Sequence, residues 1–295
     1  MLIKCKDIVE KELDKLENDI NELIAKGDKP HALIVRVDGD KPSEKYVNNK
    51  VNKCAERNIE SSITLLPNDV TMDTLIKTIE DANNNPNING IMLQLPLPAH
   101  LDADKAINAI SPLKDIDCLT TYNVGRLLEG RSKIAPCTPQ GIIDILKANN
   151  VDITGKDVLI INRSILVGKP LAALILDNNG TPTIAHSKTK NLFDKMLEAD
   201  IIVTAVGKAN FINKYMLKQL ESVARKEFKK KFIIDVSINF NEQGRICGDV
   251  VRDDDFVNSL EYINITAVPG GVGLTTVANL LKNTITLAKE QINSK

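Results

Sequence analysis

Apolar residues along this chain follow two rhythms that take turns. Val9, Leu13, Leu16, Ile20 and Leu23 recur at helical spacing, which predicts one amphipathic helix over 6–26, ending near Gly27. Ala32 to Val37 is a β-rich apolar run. A helix over 43–58, an extended stretch from Ile63 to Leu66 and a helix over 72–83 follow, the last marked by Met72, Leu75, Ile76 and Ile79. A strand then runs from Ile91 to Leu95, and Pro96 and Pro98 stop it because proline has no N–H for the ladder. Pro136, Pro139 and Gly141 punctuate an interdomain crossing. Beyond them a second alternation predicts strands at 157–162, 181–185, 200–205, 231–236 and 262–267, with helices at 168–178, 191–198 and 213–222. Val277, Leu280, Leu281 and Ile285 mark a terminal helix. Strand-then-helix alternation builds parallel sheets with helices on their faces. The expected fold class is α/β: two α/β domains around a cleft, the second a Rossmann-like doubly wound parallel sheet. The first domain is expected to span 1–138 and to be completed by 273–295, and the nucleotide domain to span 139–272.

Composition narrows the setting. At 295 residues, 43% hydrophobic and 26% charged, the chain has material for two globular domains. A net charge of −1 leaves no electrostatic footprint for nucleic acid or an anionic membrane surface. No apolar run approaches the ~20 residues of a membrane span. The opening Met1-Leu2-Ile3-Lys4 lacks a signal peptide's apolar core. Five scattered cysteines without a C-x-x-C pair fit a reducing compartment, so a cytoplasmic location is expected. Three isolated histidines give no zinc spacing, and no metal is expected.

Candidate chemistry in the second half begins where Val158-Leu159-Ile160-Ile161 runs into Asn162-Arg163-Ser164-Ile165-Leu166-Val167-Gly168-Lys169-Pro170. A buried strand, a polar turn, then Gly and Pro opening a helix is a dinucleotide-binding layout, because helix N-terminal amides attract phosphate. The usual G-x-G-x-x-G is missing. Asn162 stands where a glycine is expected, and asparagine tolerates positive φ. After the next strand come His186-Ser187-Lys188-Thr189-Lys190, with no acid for a ribose 2′-hydroxyl. Arg163, His186 and Ser187 suit a 2′-phosphate instead, which points to NADP rather than NAD. Two further strand ends, Ala205-Val206-Gly207 and Ser237-Ile238-Asn239, are placed to cover the ribose or nicotinamide.

In the first half, Tyr46 and Lys50 are four apart on the helix over 43–58, so they share one face. Gln94 is a polar side chain at the carboxyl end of a strand, where ligands bind open α/β sheets. Asp115 and Asp117 follow. Tyr46-Val-Asn-Asn-Lys50, Gln94-Leu-Pro-Leu-Pro98, Lys114-Asp-Ile-Asp117, Pro136-Cys-Thr-Pro139, Arg163-Ser164-x-x-Val167-Gly168-x-Pro170 and Pro269-Gly-Gly-Val-Gly273 occur in this order. The series closely resembles the bifunctional methylenetetrahydrofolate dehydrogenase/methenyltetrahydrofolate cyclohydrolase family, over nearly the whole chain. The resemblance implies oxidation of 5,10-methylenetetrahydrofolate with NADP, then hydrolysis of the methenyl product to 10-formyltetrahydrofolate. It implies Lys50 as the catalytic lysine of hydrolysis, Gln94 as the group that positions and tunes it, Tyr46 against the folate and Asp117 on the pterin-like ring. Leu95, Pro96, Pro269, Gly270 and Gly271 join the folate site, and Gly273 and Thr276 the cofactor site. It also implies a homodimer formed through the nucleotide domain.

The chain departs from that pattern at Asn162, at Cys118 where glycine is common, and at Ala267 and Leu274 where proline is usual. Two alternatives stay open from the residues alone. One is another two-domain NADP dehydrogenase, such as a shikimate-type enzyme, which leaves Gln94 to Pro98 and Pro269 to Gly273 unexplained. The other is a non-enzymatic NADP- or folate-binding protein.

Overall fold

The computed structural model describes residues 1–39 and 41–293; the side chains of residues 41–43, 45, 46 and 293 lie outside that description. Tyr46 is among them, so only its place in a helix is described. The chain runs β1 (Leu2–Ile3), α1 (Lys6–Asp14), α2 (Glu17–Ala25), β2 (His31–Val37), α3 (Lys41–Glu56), β3 (Glu60–Leu66), α4 (Met72–Asn84) and β4 (Gly90–Leu93). Short helices α5 (Ala103–Asn108) and α6 (Thr121–Leu128) lead to α7 (Cys137–Ala148). Then come β5 (Asp157–Ile161), α8 (Gly168–Asp177), β6 (Thr181–Ala185), α9 (Leu192–Glu198), β7 (Ile201–Thr204), α10 (Lys214–Glu227) and β8 (Lys231–Asp235). The pair β9 (Asn239–Phe240) and β10 (Ile246–Cys247), α11 (Asp254–Asn258), β11 (Ile263–Thr266) and α12 (Val272–Asn293) complete it.

The chain forms two compact units, Met1–Glu10 with Thr138–Thr276, and Lys11–Cys137 with Val277–Lys295. The first unit holds a parallel sheet in the order β1-β11-β8-β7-β5-β6, with β1 aligned so that Leu2 faces Ile265. That pairing is why residues 1–10 stand in this unit rather than in the expected first domain. The strand order turns back on either side of β5 and β7, as a doubly wound sheet requires. Its central strands are buried on both faces: Leu159, Ile202, Ile233 and Ile263 are enclosed with residues of α9 and α10, and Val158, Ile160, Val203 and Ile234, which alternate with them, are buried too.

The second unit is built on three parallel strands, β3-β2-β4. The segment 114–116 lies alongside β4, with Ile91 N–H donating to the Lys114 carbonyl at 2.6 Å. Gly90 permits this approach, because a Cβ there would stand 2.2 Å from Ile116 Cγ2. The segment therefore runs beside β4 and delivers Asp117 to the same sheet end as Gln94.

One prediction fails locally. The helix expected over 6–26 is two helices that break at Lys15–Leu16, where Leu16 N–H closes a tight turn on Leu13 O at 3.0 Å. Both halves keep the same buried phase, with Val9, Leu13, Ile20 and Leu23 inside, so apolar spacing alone does not separate them. At the crossing, Pro136 and Pro139 do not interrupt structure but flank and open α7, since proline suits a first helical turn.

Candidate active site

Lys50 projects from α3 and is only 9% exposed. Its Nζ donates to Gln94 Oε1 at 3.1 Å and to Met92 Sδ at 3.3 Å. Gln94 follows β4 directly and its N–H still bonds Val35 O on β2 at 2.8 Å, so the sheet fixes its backbone. Its Nε2 donates to Leu95 O at 2.7 Å, which leaves the amide oxygen turned to the lysine. Leu95 is half-buried, and Pro96 follows it across a cis peptide. Burial lowers the proton affinity of Lys50, opposed by Asp117 and Cys137. Burial likewise pushes the half-buried Asp117 upward, against the pull of Lys50 and of the Cys137 thiol.

These three sequence-predicted residues, Lys50, Gln94 and Asp117, thus meet at one sheet end. Three neighbours escaped the sequence reading. Met92 reads as core because a methionine in an apolar run usually is core. Cys137 opens α7, and burial raises its thiol well above the ordinary value. Asn283 on α12 holds the loops in place, donating to Ile116 O at 2.8 Å and Ala135 O at 2.9 Å. Asp115 accepts from the Leu119 and Thr120 N–H groups and from Asn123 Nδ2, so it organises the turn after the site.

In the six-stranded unit the polar turn forms as expected, but not by the expected means. Asn162 is not among the residues with positive φ. Its side chain stands in for the missing glycine chemistry. Oδ1 accepts from Ser164 N at 2.8 Å, Ser164 Oγ at 2.8 Å and Gly168 N at 3.1 Å, while Nδ2 donates to Ala205 O at 2.7 Å. Ser164 Oγ in turn accepts from Val167 N–H at 3.1 Å. The hydroxyl and amide that sequence assigned to a cofactor are therefore also the turn's own scaffold. Gly168 is a cradle that a Cβ would fill, since it would lie 2.1 Å from Asn162 O. That close approach at a helix N-terminus beside a strand end fits a dinucleotide.

Arg163 leaves β5 and His186-Ser187 leave β6 in aligned register, Ile161 beside Ala185, and Arg163 and Ser187 are exposed. His186 Nδ1 accepts from Lys188 N–H at 3.2 Å. Val206 and Ile238, each 41% exposed, follow the neighbouring strands β7 and β8. Near α12, Pro269 follows a cis peptide, Gly270 has φ +101°, and Gly271 sits where a Cβ would meet Ala267 O at 2.3 Å. Gly273 lies in the first turn of α12 near Ile238, and Thr276 Oγ1 lies 3.1 Å from Thr138 Oγ1. Among the described residues no cluster of His, Cys, Asp or Glu is arranged to hold a metal ion, and no helix is long and apolar enough to cross a membrane.

Residues 3–117 match the catalytic domain of tetrahydrofolate dehydrogenase/cyclohydrolase, and residues 136–292 match its NAD(P)-binding domain. The bifunctional protein FolD of Nautilia profundicola is 41% identical over 289 residues, 98% of this chain and 97% of its own length. The crystal structure of the FolD methylenetetrahydrofolate dehydrogenase/cyclohydrolase from Campylobacter jejuni superposes with a TM-score of 0.89 at 34% identity, covering 98% of this chain and 99% of that one. The Trypanosoma brucei enzyme, solved with NADP cofactor and inhibitor, gives a TM-score of 0.88 at 30% identity over 99% of this chain and 98% of its own. With both halves matched in order and the lysine, glutamine and aspartate gathered at one sheet end, the chain belongs to the bifunctional tetrahydrofolate dehydrogenase/cyclohydrolase family.

Proposed function

We propose that the protein oxidises 5,10-methylenetetrahydrofolate and hydrolyses the methenyl product to 10-formyltetrahydrofolate, with Lys50 serving the hydrolytic step. One observation carries this reading. A neutral amine has two N–H bonds and one lone pair. Both described partners of Lys50 Nζ are acceptors, Gln94 Oε1 and Met92 Sδ. In the uncharged form they take its two hydrogens and leave the lone pair to the remaining tetrahedral direction. Burial favours that uncharged form. An uncharged lysine takes the proton released as water adds to the methenyl carbon. Neither partner carries a charge that would restore the ammonium.

NADP, when bound, accepts the hydride, and that step asks the protein for orientation more than for a base. Gly168 and the start of α8 are suited to its pyrophosphate, while Arg163, His186 and Ser187 are suited to its 2′-phosphate. Asp117, placed beside Lys50, is suited to the amino and ring N–H groups of the pterin-like ring, and Tyr46 to packing on the folate. The reading extends to a cytoplasmic homodimer joined through the six-stranded unit, which light scattering of the purified chain checks.

The test is a coupled spectroscopic assay with 5,10-methylenetetrahydrofolate, run separately with NADP and NAD. Reduction of NADP in preference to NAD, with little methenyl accumulation, is expected. Methenyl accumulation without 10-formyl product would contradict the role given to Lys50, and equal use of NAD would contradict that given to Arg163.

A further inference from the structure

The loop Ala205–Lys208 follows β7 at the carboxyl end of the six-stranded sheet, where a nucleotide cofactor lies in such folds. Loops there commonly offer backbone N–H groups to anions. This one does not. Val206 N–H donates to Asp249 Oδ2 at 2.7 Å, Gly207 N–H to Ser237 Oγ at 3.0 Å, and Lys208 N–H to Asp249 Oδ1 at 2.8 Å. Ser237 Oγ in turn donates to Asp249 Oδ2 at 2.8 Å. Three consecutive N–H groups are thus drawn inward onto one carboxylate and its serine. Thr204 Oγ1 and Asn239 Nδ2 complete the set at 2.7 and 3.2 Å.

Asp249 is fully enclosed, and five hydrogen bonds hold its charge against burial. Its own backbone is held from behind. Asp235, at the end of β8, accepts from Asp249 N–H at 3.1 Å and Val250 N–H at 2.8 Å. Gly248 lets the chain pass, since a Cβ there would strike Asp235 Oδ2 at 2.0 Å. With those amides already engaged, what the exposed residues Val206 and Gly207 can still offer a ligand is their carbonyl oxygens and the Val206 side chain, with Ile238, also exposed, after the adjoining strand. Carbonyl acceptors beside two exposed apolar side chains match the nicotinamide half of the cofactor: a carboxamide NH2 and ribose hydroxyls to donate, and a flat ring to cover.

We propose that Asp249 is a positioning residue for NADP: it turns the 205–208 loop so that carbonyls, not amides, face the nicotinamide riboside. The inference rests on the NADP reading above, which places the adenosine 2′-phosphate elsewhere, at Arg163 and His186-Ser187. Two probes therefore separate the halves, NADP itself and adenosine 2′,5′-bisphosphate, both titrated calorimetrically against the full chain. In Asp249→Asn the new NH2 group must face N–H donors on one side or the other, so the loop loses its anchor. The Kd for NADP is expected to rise at least tenfold while that for the bisphosphate stays within threefold. An NADP Kd within twofold of wild type, or equal weakening of both probes, overturns the proposal; the second outcome would mark Asp249 as a purely structural group. Should Asp249→Asn not fold, Ser237→Ala removes the hydroxyl that links Gly207 N–H to Asp249 Oδ2 and leaves the carboxylate with its other four donors. It is expected to weaken NADP threefold or more without moving the bisphosphate, and no change in NADP binding overturns the proposal. If the wild-type chain binds neither probe, the NADP reading itself fails.

Discussion

Lys50 works by what surrounds it. Its two described acceptors are an amide oxygen and a thioether, and burial disfavours its charge. Gln94→Glu puts a carboxylate 3.1 Å from Nζ in place of the amide. The ammonium is then stabilised, so the amine becomes neutral only at higher pH, and the acidic limb of the hydrolysis pH profile should move upward. An unmoved profile of 5,10-methenyltetrahydrofolate hydrolysis would remove the tuning argument. Cys118 tests a different balance. It has φ +57°, the left-handed region that favours glycine. Yet its thiol is enclosed, reaches Ile134 O at 3.6 Å and is pushed up to about 12 by burial, so it packs rather than reacts. Cys118→Ala keeps the strained backbone and loses the sulfur; Cys118→Gly loses more packing but relieves about 1 kcal/mol of strain. Urea unfolding should find the alanine variant the less stable of the two, and the reverse order would refute the strain. At this scale the sequence made Lys50, Gln94 and Asp117 legible through spaced motifs. It hid Met92, which looks like any core residue, and misassigned Asn162, whose side-chain bonds do what positive φ was expected to do.

At the scale of elements, the glycines that matter are those where two segments nearly touch. Gly90 admits the 114–116 segment against β4, and Gly168 admits α8 against the turn after β5. A methyl at Gly168 would meet a backbone carbonyl, which cannot swing aside as a side chain can. Gly168→Ala should therefore cost about 1–3 kcal/mol of stability and weaken NADP binding together. Wild-type melting and wild-type NADP titration in that variant would show that the turn has slack the distances deny. The alternation of strands and helices was readable because the two larger sheets are parallel and their central strands, such as β2, β5, β7 and β8, are mostly apolar runs. The two-residue strands β1, β9 and β10 and the short helices α5, α6 and α11 were not, since so few residues carry no period. Caps were present all the same: Asp102, Thr120 and Asp253 each accept from an N–H in the first turn that follows. The break between α1 and α2 left no mark because the buried phase runs straight through it.

For the whole molecule, chain order and unit membership part company at both ends, and only the N-terminal departure is unexpected, since the terminal helix was expected to complete the first domain. Residues 1–10 join the six-stranded unit through β1, while the end of α12 joins the three-stranded one. A two-residue strand cannot announce its partner from sequence, so the expected boundary at residue 1 followed chain order instead. The stability of the six-stranded unit carries its own pH signature. Burial raises Asp235 from 3.8 to about 7, so between those values the folded chain holds a proton that the unfolded chain has released. Stability contributed by this group is therefore lost as pH rises through that window. Asp249 acts in the opposite sense. Its carboxyl is held low by hydrogen bonds from Thr204, Val206, Lys208 and Ser237 that outweigh its burial, and its contribution is lost only in acid. Relative to wild type, Asp235→Asn should gain on the order of 3 kcal/mol between pH 5 and pH 8 in urea unfolding. A stability difference that stays constant over that range would contradict the raised proton affinity.

The central claim is that one enclosed, uncharged lysine serves hydrolysis while hydride transfer asks mainly for orientation. Lys50→Met keeps the length and apolar character of the side chain and removes the nitrogen. Measuring both rates in this variant, hydride transfer from 5,10-methylenetetrahydrofolate to NADP and hydrolysis of supplied 5,10-methenyltetrahydrofolate, tests the claim most directly. Hydrolysis is predicted to fall by roughly 10²- to 10⁴-fold, and hydride transfer by less than about tenfold. Equal losses in the two reactions would contradict the account and make Lys50 a folate-binding residue.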